Sequence, residues 1–156
     1  MRIANSSRTS TVPFFDCQKP FLHAISDTSP SFPVKRTVKP KRVLVVDDEI
    51  YVADSLTEIL ANHGYDAFAC YNGHAAIESV QEQCPDFVIS DVVMPKLNGV
   101  DTVLAIQKIC PVARIILFSG QAGTANILEQ ARAKGHIFEL LPKPIHPEQL
   151  LKRLTA

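Results

Sequence analysis

No excess charge of either sign runs through this 156-residue chain: sixteen Lys and Arg are matched by sixteen Asp and Glu. Neutralising nucleic-acid phosphates needs clustered cations, so a nucleic-acid-binding globular surface is not expected. Long apolar runs are missing too. The run Val12-Pro13-Phe14-Phe15 is cut by Asp16 before it reaches signal-peptide length, and no stretch approaches the roughly 20 residues that span a bilayer. These absences predict a cytoplasmic protein without a membrane partner. Cysteine is sparse and scattered, at Cys17, Cys70, Cys84 and Cys110. Without a Cys-x-x-Cys pair or histidines at zinc-ligand spacing, neither a metal knuckle nor a disulfide framework is indicated. Buried reduced thiols are expected.

The neutral total hides an asymmetry. Residues 1–40 carry six Lys/Arg against two Asp/Glu, and the remainder carries ten against fourteen. The first forty residues also hold five of the eleven prolines and ten Ser/Thr, with no helical or strand period. Such a segment buries too little apolar surface to offset its ordering entropy, so 1–40 reads as a disordered basic tail. Residues 41–156 have the length of one ordinary domain.

From Arg42 the chain alternates short β-branched runs with helical patterns, the signature of a parallel α/β sheet with helices on both faces. Five repeats are visible. Strands are predicted at Val43–Val46, Ala67–Tyr71, Phe87–Ile89, Ile115–Phe118 and Phe138–Leu141. Helices are predicted over 50–63, 73–82, 99–109, 124–134 and 147–154, with Gly64 and Gly135 closing two of them and Pro147 suited to a first turn.

In such a sheet, ligands bind beyond the carboxyl ends of the strands. Four strands end in reactive groups: Asp47-Asp48-Glu49, then Asp91, then Ser119-Gly120, then Lys143. Each alone has a plain explanation: Asp48 as a helix cap, Asp91 and Ser119-Gly120 as turn residues, Lys143 as a solvated lysine. Together they read differently. Carboxylates converging on one crevice repel, and a hard divalent cation with a nearby ammonium relieves that repulsion. A Mg²⁺ site beside Lys143 follows. Phosphoryl transfer needs a nucleophile in line, cations on the equatorial oxygens and a hydrogen-bond donor. Asp91, Mg²⁺ with Lys143, and Ser119 supply them.

These blocks resemble the receiver domain of two-component response regulators: Val45-Val46-Asp47-Asp48-Glu49, Asp91-Val92-Val93-Met94-Pro95 leading to Asn98-Gly99, Phe118-Ser119-Gly120, and Leu141-Pro142-Lys143-Pro144. The resemblance covers 41–156. It implies a doubly wound, flavodoxin-like sheet of five parallel strands in the order 2-1-3-4-5. It further implies that Asp91 is the phospho-acceptor, that Asp48, Asp91 and the Val93 backbone carbonyl ligate Mg²⁺ directly, and that Asp47 acts through water. Ser119 would bond the phosphoryl oxygens and Lys143 would pair with them, with a cis bond before Pro144. The implied donor is a sensor histidine kinase or a histidine phosphotransfer protein. The implied output is a conformational change on the face of the fourth helix, fifth strand and fifth helix, read by a downstream protein. Because the chain stops after the fifth helix, a stand-alone receiver is expected, not an enzyme beyond catalysing its own phosphorylation and dephosphorylation.

One departure stands out. Three positions before the lysine, where the family often carries an aromatic switch residue, this chain has Leu140. Val93 and Gln121, at positions that influence dephosphorylation in the family, offer no carboxylate to orient a hydrolytic water, so slow self-dephosphorylation is expected. A haloacid-dehalogenase-like phosphatase would want Asp-x-Asp after the first strand, which Asp47-Asp48-Glu49 breaks. A flavin mononucleotide binder would want a Gly-, Ser- or Thr-rich cradle there instead of acids. An unphosphorylated pseudo-receiver acting as an interaction module is the remaining alternative, and intact Asp48, Asp91 and Lys143 weigh against it.

Overall fold

The computed structural model describes the chain at residues 17–18, 39–120 and 124–155. Six strands form one sheet: β1 (Cys17–Gln18), β2 (Arg42–Val46), β3 (Asp66–Cys70), β4 (Phe87–Asp91), β5 (Arg114–Ser119) and β6 (Glu139–Pro142). Five helices lie between and after them: α1 (Ile50–Asn62), α2 (Gly73–Glu82), α3 (Gly99–Ile109), α4 (Thr124–Ala133) and α5 (Pro147–Thr155). The sheet order is β1-β3-β2-β4-β5-β6. The five strands from β2 onward are parallel and reproduce the order 2-1-3-4-5 of the βα repeats. The additional strand, β1, pairs antiparallel with β3. It falls within the segment read as a disordered tail, most of which lies outside the described residues.

Parallel strands covered on both faces are apolar at every position, and alternate residues feed opposite layers. Val43, Val45, Ile89, Ile116 and Phe118 join Ala53, Leu56 and Leu60 of α1 and Leu150 and Leu154 of α5 in one core. Leu44, Val46, Val88 and Leu117 join Ala76 and Val80 of α2, Val100, Val103 and Ile106 of α3, and Ala131 of α4 in the other. The two layers clamp the sheet, so the carboxyl ends of β2, β4, β5 and β6 are held along one rim.

The cysteines differ from expectation. Cys84, just beyond α2, and Cys110, at the end of α3, form a disulfide with Cα atoms 5.7 Å apart, and Cys70 is disulfide-bonded as well. Pairing is decided by the distance between Cα atoms in space. Here that distance comes from the packing of α2 against α3, which a separation of 26 residues along the chain does not reveal.

Candidate functional site

The rim carries every reactive residue singled out above. Asp47, directly after β2, is fully buried, and Asp91 ends β4 with 5% exposure. Asp48 projects into solvent, and its neighbour Glu49, not Asp48, occupies the N-cap of α1 without a side-chain cap. One carboxylate oxygen from each of Asp47, Asp48 and Asp91 lies within 4.8 Å of the others. Lys143 reaches across from the end of β6. Its Nζ is 2.8 Å from Asp91 Oδ2 and 3.2 Å from Asp47 Oδ2, with Glu49 Oε1 at 3.7 Å.

Local structure fixes these groups. The Glu49 amide donates to Asp47 Oδ1 at 2.9 Å and the Val93 amide to Asp91 Oδ1 at 3.2 Å, so each carboxylate has one oxygen tethered and the other turned toward Lys143. The Lys143 peptide to Pro144 is cis, as the resemblance implies, and the Lys143 amide donates to Ser119 O at 2.9 Å. Asn98 caps α3 by accepting from the Asp101 amide at 2.9 Å. Gly99 follows because α3 starts against the strand that ends in Asp91: its amide donates to Val92 O at 2.9 Å, and a Cβ there would overlap the backbone carbonyl of Asp91.

The electrostatics are lopsided. Burial is the largest influence on Asp47 and, reinforced by the Asp91 charge, lifts its pKa above the usual 3.8 despite the opposing Glu49 amide and Lys143. Burial alone would lower Lys143, but its hydrogen bond to Asp91 and the charges of Asp47 and Asp91 outweigh this and hold it above 10.5. One ammonium thus faces more negative charge than it neutralises. A hard cation accepting carboxylate oxygens fits that imbalance, and an all-oxygen donor set suits Mg²⁺ better than a soft metal.

Ser119, 5% exposed at the end of β5, lies on the same rim. Its Oγ is 2.7 Å from Gly120 O and is hydrogen-bonded to Thr124 Oγ1, the hydroxyl of the first residue of α4. Thr124 was missed in the sequence. The available signal was its position, since a helix expected to start there places the residue next to the end of β5. Val93 is half exposed at the bend after β4, and Gln121 lies outside the described residues.

A family model for the response regulator receiver domain matches residues 43–155. The chain belongs to that family. This receiver domain is 36% identical over 116 residues to the chemotaxis protein CheY of Thermotoga maritima, covering 74% of this chain and 95% of the relative. The DNA-binding response regulator MtrA of Mycobacterium tuberculosis is 28% identical over 116 residues, which cover 74% of this chain and half of MtrA. Among solved structures, CheY4 of Vibrio cholerae superposes with a TM-score of 0.66 at 29% identity, covering 74% of this chain and 97% of that one. A receiver domain protein from Clostridium thermocellum gives 0.63 at 28% identity, covering 74% and 99%.

Proposed function

We propose that this receiver domain accepts a phosphoryl group on Asp91 from a phosphohistidine of a sensor kinase or histidine phosphotransfer protein, assisted by Mg²⁺. The observation that carries the reading is the convergence of Asp47, Asp48 and Asp91 oxygens within 4.8 Å, with Lys143 Nζ 2.8 Å from the acceptor carboxylate. An Asp91 oxygen attacks phosphorus, the phosphorus–nitrogen bond breaks, and the imidazole leaves with the bonding pair and takes up a proton. Asp48, Asp91 and the Val93 carbonyl would hold Mg²⁺, with Asp47 acting through water, and the ion neutralises phosphoryl oxygens when bound. Lys143 supplies the fixed positive charge on the same oxygens, and Ser119 turns in to donate a hydrogen bond to the product.

The reaction is the domain's own modification and its reversal, without turnover of another substrate. The output reaches a partner on α4, β6 and α5, where Leu140 on the edge strand is 42% exposed. Histidine kinases draw on ATP, so this reading implies a cytoplasmic chain. Among the described residues, no helix is long and apolar enough to cross a membrane.

Intact mass after incubation with acetyl phosphate tests this. A single Mg²⁺-dependent phosphoryl adduct, absent from Asp91→Asn and formed about a hundredfold more slowly by Lys143→Ala, is expected. No adduct on folded wild-type protein would overturn the reading in favour of an unphosphorylated interaction module.

A further inference from the structure

The hydroxyl of Thr124 belongs to α4 but is spent on the site. Thr124 is 5% exposed, its Oγ1 is hydrogen-bonded to Ser119 Oγ, and it donates to Gly120 O at 3.0 Å. The Ser119 hydroxyl is also within reach of that carbonyl, at 2.7 Å. Two hydroxyl protons serve three oxygens. With Thr124 donating to Gly120 O, Ser119 donates to Thr124; with Ser119 donating to Gly120 O, Thr124 donates to Ser119. In both arrangements Ser119 is tied to the first turn of α4.

We propose that Thr124 is a positioning residue that holds the Ser119 hydroxyl away from the acceptor, so that engaging a phosphoryl group on Asp91 breaks the Ser119–Thr124 link and releases the first turn of α4. The inference rests on the phospho-acceptor reading of Asp91. It gives the chain a path from the site to α4 that needs no ring on β6, where Leu140 is aliphatic. The link competes with phosphoryl binding, because Ser119 gives up a buried hydrogen bond each time it turns in. Removing the competitor therefore favours the phosphoryl-bound state, by the net worth of one neutral hydrogen bond, about two- to tenfold in affinity.

Beryllofluoride with Mg²⁺, as a phosphoryl mimic, is the probe, and its affinity by titration calorimetry is the readout. Thr124→Val is expected to bind it about two- to tenfold more tightly than wild type, and Thr124→Ser, which restores the hydroxyl, to match wild type. In a Ser119→Ala background, Thr124→Val should change nothing. A merely structural role for Thr124 would weaken binding or act equally in both backgrounds, and either result, or unchanged affinity in Thr124→Val, overturns the proposal while leaving the acceptor reading intact. Failure of folded wild-type protein to bind beryllofluoride at all overturns both.

Discussion

At the scale of single residues, Asp47 is held at an electrostatic cost. A carboxyl whose pKa is raised on folding contributes stability that is complete below the unfolded value near 3.8 and is lost as pH rises through the higher folded value. At neutral pH the ionised Asp47 therefore weighs against the metal-free fold. Asp47→Asn should stabilise the Mg²⁺-free domain in urea melts at pH 7, and the advantage should shrink as pH falls toward 4. A mutant less stable than wild type at pH 7, or an advantage independent of pH, would contradict this. Lys143 follows the same sign at a far higher pH: with its pKa raised above 10.5, its contribution is present at neutral pH and fades only in strong alkali. The sequence placed Asp47, Asp48, Asp91, Ser119 and Lys143 at strand ends, because a chemical group after each apolar run is visible in one dimension. It could not distinguish buried Asp47 from exposed Asp48, since adjacent residues leaving a strand diverge only once α1 is docked.

At the scale of elements, Asn98-Gly99 shows how Asp91 is placed. Asn98 caps α3 while Gly99 lets the helix start against the carbonyl of Asp91. Gly99→Ala should cost about 1–3 kcal/mol through overpacking and slow phosphorylation by acetyl phosphate, because the backbone that must yield carries Asp91, the proposed nucleophile. Wild-type stability together with wild-type rate would contradict the close packing. The βα repeats themselves were legible because buried parallel strands are continuously apolar and the helices between them are not. The predicted α3, 99–109, coincides with the observed helix, where Asn98-Gly99 and Pro111 mark both ends. The second repeat shifted by one residue: the strand expected at 67–71 runs over Asp66–Cys70, because the Asp66 amide pairs with Lys41 O and opens the ladder one residue early. Contacts between elements stayed invisible, including the Cys84–Cys110 bond from α2 to α3 and the Ser119–Thr124 link from β5 to α4. The disulfide depends on α2 packing beside α3 on one face of the sheet, which no local pattern encodes; the link joins residues only five apart, but their hydroxyls meet only once α4 docks at the end of β5.

At the scale of the whole molecule, two apolar layers fix the sheet and leave its carboxyl rim to carry charge that the fold alone does not balance. On the proposed reading, a cation and a phosphoryl group would complete that rim. With the half-exposed side chain of Val93 two residues from Asp91 and no carboxylate at Val93 or Gln121 to orient water, the proposed phosphorylated form should outlast many minutes, followed by intact mass after acetyl phosphate is removed; decay within seconds would contradict this. The most direct test of the central claim is to locate the modification. The protein is phosphorylated with acetyl phosphate and Mg²⁺, the acyl phosphate is trapped by borohydride reduction, and the digest is sequenced by tandem mass spectrometry. The account predicts homoserine in place of Asp91, formed only when Mg²⁺ is present; homoserine at another aspartate, or none from folded protein, would contradict it.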